Sequence, residues 1–395
     1  MSGKRSNGDG SIYRTPDGSR WRGAVSLGNG KRKVVYGRTK EEAAANLRKA
    51  QANLSAGTLS LDSKTTLATF LTKWLDWRRD HVRPSTWRAQ EVLVRVHILP
   101  DPIAKRALGK LTTGDIDAFL GRLSRKQFSA HRGSASKPDA TMKTFSPRSV
   151  QMVHNLLKAS ITQARKWGYV AVNVSTDATC PTVPEPVRNP FDADEARRIV
   201  HAAKEHRLGA LFTVAIALGL RPGEALALRW EDLTLDGPSP QLVVNHTLTK
   251  DLAKKVVIAP PKTRRSARVV ALPPTCVVAL KERRKGQREE RLLSGPNWLE
   301  PIPALVFETV DGRPIDKDNL GRIWHLLLDK AEVPRRRLYE ARHTAATLLL
   351  AQGVHARVVM DLLGHSTIKL TMDTYSHVMP ALQREAADAM ERALA

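Results

Sequence analysis

Cysteine is almost missing: Cys180 and Cys276 are the only two among 395 residues. Two thiols cannot build a disulfide framework or a tetrathiolate zinc site, so the fold is expected to hold without bridges and without metal. Long apolar runs are missing as well. No stretch of about 18 apolar residues occurs, which excludes a membrane-spanning helix, and the opening MSGKRSNGDGSIY lacks the apolar core of a secretion signal. Acidic residues are the third scarcity, 39 Asp and Glu against 64 Lys and Arg, for a formal charge of +25. That excess is larger than solubility requires and points to a polyanionic partner, above all nucleic acid. The basic residues run along the whole chain rather than gathering on one amphipathic helix, which argues against a membrane surface. These scarcities predict a cytoplasmic protein with no cofactor, long enough for two or three domains.

Residues 10 to 37 alternate like short strands broken by turns. Ser11 to Arg14 leads to the turn Pro16-Asp17-Gly18, Trp21 to Leu27 leads to Gly28-Asn29-Gly30, and Lys33 to Tyr36 follows. Thr39 and Glu42 form a capping box that opens a helix to about Leu54, with Ala43, Leu47, Ala50 and Leu54 on one face. So small a sheet, with Arg and Lys on its exposed positions, suits a DNA groove; a solvated basic face is the plainer alternative.

After a spacer near Leu61 to Lys64, four helices are expected. They are Thr66 to Asp76, Pro84 towards Leu99, Thr113 to Leu123, and one opened by Ser146-Pro147 with Val150, Val153, Leu157, Ile161 and Ala164 inward. Trp74, Trp77, Trp87 and Trp167 read as core or rim anchors, and Ser124 to Phe145 reads as a mobile loop. Ser175 to Asn189, with Pro181, Pro184 and Pro186, reads as a linker before a helix from Asp192 to Ala203.

Polar residues then stand out among apolar runs. The helix Leu211 to Leu220 stops at Gly219, and Pro222 and Glu224 fall in the first turn of the next helix, expected to carry Leu226, Leu228 and Trp230. Arg221 at that junction can make a fixed, bidentate phosphate contact, oriented by Glu224; a buried structural ion pair would use the same two residues. Strand-like Gln241 to Asn245, Val256 to Ile258 and Arg268 to Leu272 predict a sheet with Lys262 near a hairpin tip. From there a lysine can reach a DNA backbone, as a general acid or as one more neutralising charge. Further on, Arg342-His343 opens an apolar helical run, Gly364-His365 closes a second, and Tyr375 follows ten residues later. Those three residue types suit phosphate binding and nucleophilic attack, although a helical core with incidental polar residues is the alternative.

Arg221, Lys262, Arg342, His365 and Tyr375 also stand in five segments whose wording and order resemble the tyrosine recombinase (phage integrase) family. They are Leu-Gly-Leu-Arg-Pro-Gly-Glu, Pro-Lys-Thr with a following Arg, Arg-His-Thr-Ala-Ala-Thr, Leu-Leu-Gly-His-Ser and Thr-Tyr-Ser-His. The resemblance implies that Arg221 and Arg342 clamp the non-bridging oxygens of a phosphodiester and His365 adds a hydrogen bond. Tyr375 attacks phosphorus to give a 3′-phosphotyrosine link, Lys262 protonates the departing 5′ oxygen, and Glu224 supports Arg221. No metal is required. One position departs from the family: Tyr339 stands where a histidine is usual, three residues before Arg342, and a phenol with an ordinary pKa near 10 is a poorer base at neutral pH. His343 and His377 are expected to support structure. The helix opened by Pro380, with Ala381, Leu382, Ala386, Ala389, Met390 and Leu394 on one face, is expected to dock on a neighbouring protomer rather than on its own domain.

The implied fold is multidomain and mainly α with small sheets. Residues 1–58 make an arm-site DNA-binding domain of three strands and a helix, 62–174 a helical core-binding domain, 175–190 a linker, and 191–395 a mixed α+β catalytic domain ending in the oligomerisation helix. The implied activity is integration, and with a helper excision, of a phage or mobile element through a Holliday junction. Its partners are double-stranded DNA at core and arm sites, a homotetramer on that DNA, a host DNA-bending protein and an excisionase, in a bacterial host. A type IB topoisomerase shares the chemistry but lacks use for an arm domain and a docking helix. A DNA-binding regulator that has lost catalysis, suggested by Tyr339, sits badly with the intact set of five.

Overall fold

The computed structural model describes residues 12–26, 32–55, 64–129, 142–185, 188–261, 263, 266–365, 367, 387–388 and 390–395. The expected turn at Gly28 to Gly30, the spacer before Lys64, Lys262, Tyr375, His377 and the start of the last helix at Pro380 lie outside them. The chain forms two compact units, residues 1–185 and 186–395.

The first unit begins with an antiparallel sheet of β1 (Ile12–Arg14), β2 (Trp21–Ser26) and β3 (Arg32–Gly37), covered by α1 (Lys40–Ser55). Register sorts the residues by face. Ile12, Gly23 and Val35 lie side by side, and the Leu47 side chain of α1 sits over Gly23; a Cβ there would meet it at 3.3 Å. Tyr13, Arg22 and Tyr36 form the next row, facing the other way because successive strand residues alternate. The Arg22 guanidinium lies 5.7 Å from the centre of the Tyr13 ring, and both tyrosines are exposed. At the helix start, Thr39 Oγ1 accepts from the Glu42 amide as expected, while the Glu42 carboxylate reaches past Thr39 to the Arg38 amide.

The bundle follows: α2 (Leu67–Arg79), α3 (Pro84–Leu93), α4 (Thr113–Arg125) and α5 (Pro147–Lys166). Helix α3 runs on into a wider π-helical turn, Val94–Ile98, closed by the Leu99 amide on the Val94 carbonyl. The five inward positions expected of α5 are all buried. Trp74 is in the core, Trp77 and Trp167 pack at its rim, and Trp87 anchors itself by donating its indole N–H to the Leu75 carbonyl. The stretch after α4 is not simply a loop. Its ends pair as β4 (Gln127–Ser129) and β5 (Met142–Thr144), with Phe128 and Phe145 in edge contact and Phe145 against His97. Three-residue strands flanking a polar segment leave too short a pattern to see in sequence. After α5, Ser175 is buried, its carbonyl bonded to His154, and the Thr179 amide donates to Asp117, so this irregular segment begins attached to the bundle.

The second unit is built on α7 (Gly209–Leu218), where every residue except Ala217 is buried. A helix apolar all round belongs at the centre of a core, and α7 touches α6 (Ala193–Ala203), α8 (Pro222–Leu226), α9 (Pro274–Ser294) and α11 (Glu340–Ala351). Helix α10 (Lys317–Lys330) packs on α6, and α12 (Ala356–Leu363) on α11. Strands β6 (Leu233–Thr234), β7 (Gln241–Val244) and β10 (Arg268–Ala271) make one antiparallel sheet, and β8 (Thr247–Lys250) with β9 (Val256–Ala259) makes a second.

The hairpin is β8–β9, turning at Asp251–Lys255, while β9 and β10 belong to different sheets and form no hairpin with each other. Strand β8, Thr-Leu-Thr-Lys, has one apolar residue and gave no alternation to read. Helix α8 also stops at Leu226, short of Trp230. The backbone of Leu228 to Trp230 instead pairs with Ala304 to Val306, while Arg284 stacks on the Trp230 indole at 4.7 Å. Long-range pairing there outcompetes continuation of the helix.

Beneath α9 lies a buried carboxylate with a testable consequence. Glu308 is 1% exposed, and burial, reinforced by Glu300, pushes its carboxyl up to about 7 against the opposing pull of Gln287, Arg283 and Arg207. A carboxyl raised in the folded state favours folding below its unfolded pKa and loses that contribution as pH rises through 7. Glu308→Gln is therefore expected to gain on the order of 2 kcal/mol over the wild type at pH 8 and little at pH 4. Urea midpoints at the two pH values check this; an equal gain at both contradicts it.

Candidate active site

The site begins where α7 ends. Gly219 takes a left-handed φ of 62°, closing the helix, and a Cβ there would meet Leu363 at 2.4 Å and Ala345 at 3.1 Å. Glycine therefore lets the end of α7 lie directly against α11 and α12. Two residues on, Arg221 is the N-cap of α8, with Pro222 at the first helical position. Glu224 closes back on it: one carboxylate oxygen takes the Arg221 amide at 3.1 Å, and the other takes Nη1 at 2.5 Å. The Glu224 side chain is 3% exposed and that of Arg221 is 33% exposed, so the pair is buried on the glutamate side and open on the arginine side.

From the opposite direction comes Arg342 of α11, 1% exposed. Its Nη1 donates to the Gly219 carbonyl at 2.9 Å and its Nη2 to the Leu363 carbonyl at 2.5 Å, while its buried Nε has no hydrogen-bond partner among the described residues. Helix α12 ends at Gly364, φ 65°, and His365 follows, its amide held by the Met360 carbonyl. The last carbonyls of a helix lack intrahelical partners and carry its negative end. Here three arginines take three of them in succession. Arg268 Nε binds Leu362 O at 2.6 Å, Arg342 binds Leu363 O, and Arg221 Nη2 binds Gly364 O at 3.1 Å.

So much positive charge with one carboxylate sets the protonation states. Burial, then Arg342 and Arg221, hold His365 down at about 3. Burial, Arg188 and Arg342 bring His343 to about 4. Burial and Arg221 lower Arg342 to about 9, which leaves it charged at neutral pH. Glu224 would be raised by burial, but Arg268 and Arg221 overcome this and keep it below the ordinary carboxylate value. Around neutral pH the site thus presents three guanidiniums, one carboxylate and a neutral imidazole, a composition suited to a phosphodiester anion. An NMR titration of the free protein should find His365 neutral down to about pH 4. The unfolded chain takes up that proton near 6.5, so acid should weaken the fold progressively from there downward. A His365 midpoint above 6 contradicts this electrostatic picture.

Of the residues singled out in the sequence, Arg221, Glu224, Arg342 and His365 converge around the ends of α7 and α12. Tyr339 stands at the N-terminus of α11, 44% exposed, its ring 5.4 Å from His343 in edge contact. Arg268 was missed as a site residue. The available signal was strand parity: Arg268 shares a face of β10 with buried Val270, and an inward arginine requires a carboxylate, which Glu224 supplies at 3.1 Å.

A model of the phage integrase family matches residues 189–381, and a model of the phage integrase N-terminal SAM-like domain matches residues 66–124. A tyrosine recombinase XerC-like protein of Caldanaerobacter subterraneus subsp. tengcongensis is 31% identical over 390 residues, 94% of this chain and 95% of that protein. An integrase of Streptomyces ambofaciens is 28% identical over 97% of this chain and 96% of its own. Among solved structures, the Tn1549 transposon integrase in complex with transposon right end DNA aligns with a TM-score of 0.66 at 18% identity, over 84% of this chain and 100% of that one. A lambda integrase tetramer bound to a Holliday junction aligns with a TM-score of 0.52 at 16% identity, over 94% and 96%. At those identities the structural likeness is one of fold, and it bears out a multidomain, mainly α architecture with small sheets.

Proposed function

The chain belongs to the phage integrase family of tyrosine recombinases, DNA strand-transferases, and from that premise we propose that it integrates a phage or mobile element by site-specific strand exchange. The observation that carries this reading is the convergence of Arg221, Arg342 and His365 on the end of α12, with Glu224 holding Arg221 in place. Arg221 and Arg342 bind the non-bridging oxygens of the scissile phosphate and stabilise the charge that builds on them. His365, neutral, donates a hydrogen bond to one of the same oxygens. The Tyr375 oxygen attacks phosphorus and forms the 3′-phosphotyrosyl bond. Its phenolic proton leaves to water, the bond to the 5′ oxygen breaks, and Lys262 gives that oxygen a proton. Phosphoryl bond energy is kept for rejoining to a second strand. Tyr339, exposed at the edge, donates a hydrogen bond rather than handling the proton.

The partner is double-stranded DNA. The row Tyr13, Arg22 and Tyr36 on the open face of the N-terminal sheet suits a groove of arm-site DNA, the helical bundle grips the core site, and four protomers assemble on the paired sites. In the C-terminal helix, Met390 and Leu394 are exposed at 61% and 78%, in keeping with docking on a neighbouring protomer. A host DNA-bending protein and an excisionase complete the reaction. The test is incubation of the full chain with a nicked duplex carrying the element's own core site. A denaturant-resistant adduct on the 3′ phosphate is expected; a chain that binds this duplex and forms no adduct is a regulator, and the reading fails.

A further inference from the structure

Resting on the recombinase reading, we propose that Arg268 is a positioning residue that ties Glu224 to the end of α12, shares its carboxylate with Arg221, and thereby keeps Arg221 aimed at the phosphate. All three of its side-chain nitrogens are engaged inside the protein: Nε on Leu362 O at 2.6 Å, Nη1 on Ser266 O at 2.9 Å and Nη2 on Glu224 Oε2 at 3.1 Å. Its side chain is 6% exposed, against 33% for Arg221. With each of those nitrogens already engaged, whereas Arg342 keeps an Nε without a partner among the described residues, its effect must pass through what it holds.

Glu224 lies between two arginines. One oxygen serves Arg221 Nη1, and the other serves both the Arg221 amide and Arg268 Nη2. Without Arg268 the full charge of this buried carboxylate would fall on Arg221 alone, turning an anion-binding guanidinium into a satisfied ion pair. The second contact matters equally. Leu362 O is the first of the three α12 carbonyls held by arginines, and His365 follows three residues later. One forked side chain thus joins β10 to both the Arg221 arm and the His365 arm of the site. A lysine has a single point of charge and cannot hold both. A purely structural ion pair would couple Arg268 to Glu224 in stability, not in the maximal cleavage rate of the folded protein.

The test is single-turnover cleavage of the nicked core-site duplex, separating half-saturating protein concentration from maximal rate. Arg268→Met is expected to bind within about 2-fold of wild type and to cleave on the order of 10²-fold more slowly, the scale of a small misplacement of reacting groups. Arg268→Lys should recover part of that rate. Adding Glu224→Gln to Arg268→Met should also recover part of it, because the unshared carboxylate charge is gone. Cleavage by Arg268→Met within 3-fold of wild type overturns the proposal. So does a loss confined to half-saturation, or a double variant whose two losses simply multiply. Should Arg268→Met not fold, Arg268→Lys retains the buried charge, and its own separation of binding from rate decides the matter. A wild-type chain that forms no adduct overturns the recombinase reading and this inference with it. A cleaving wild type beside an equally fast Arg268→Met overturns the inference alone.

Discussion

Tyr375→Phe should bind core-site DNA as the wild type does and form no covalent adduct. The substitution removes one oxygen and keeps the ring, so the proposed phosphate clamp of Arg221, Arg342 and His365 is left alone. Only the proposed nucleophile disappears. Water could replace it only without the placement that makes attack intramolecular, and effective molarity alone is worth roughly 10⁵-fold or more. Cleavage should therefore fall below detection while the gel-shift midpoint stays within about 2-fold, an interaction made only on the way to the transition state. A phenol-resistant protein–DNA complex from this variant would falsify the assignment of Tyr375. His377, two residues away, offers an internal comparison: His377→Gln should retain adduct formation.

Arg342→Met is the second large effect, and it should separate activity from stability. On the activity side, a guanidinium that stabilises charge on a transferring phosphoryl group, the role proposed for Arg342, is worth about 10³-fold or more, and its buried Nε has no hydrogen-bond partner among the described residues. On the stability side two terms oppose each other. Losing two hydrogen bonds from a charged donor to Gly219 O and Leu363 O costs roughly 3–6 kcal/mol. Against this, burial and the neighbouring Arg221 pull the guanidinium down to about 9, a cost of holding charge there that methionine relieves and that offsets part of the loss. The expected result is a loss of cleavage on the order of 10³-fold with a melting temperature within a few degrees of wild type. A variant that melts far lower would show that Arg342 is needed first for the fold.

Most of the site was legible because its residues interrupt strong patterns. Arg221 and His365 each follow a glycine that ends an apolar helix, and Arg342 sits in the first turn of another, so a polar residue at each place demanded a reason. Arg268 interrupts nothing obvious: it begins a four-residue strand, and its meaning depends on a glutamate 44 positions earlier in the chain. The same limit applied to the sheets. Strands β7 and β10 could be seen by alternation, but β8 has one apolar residue, and pairing of β8 with β9 rather than β9 with β10 is decided by contacts distant in sequence. Helix α8 was overextended for a related reason, since pairing of Leu228 to Trp230 with Ala304 to Val306 leaves no local trace. Local rules located the helices and their caps; long-range pairing decided the rest.

The arginines at the end of α12 grip peptide oxygens, not side chains, and this sets what that helix can tolerate over generations. Arg357, Val358 and Asp361 point outward, and exchanges there leave the gripped carbonyls where they are. An inserted or deleted codon is different. One residue turns an α-helix by about 100°, which would swing Leu362, Leu363 and Gly364 out of reach of all three guanidiniums together. Within α12 the site is thus indifferent to spelling and intolerant of phase.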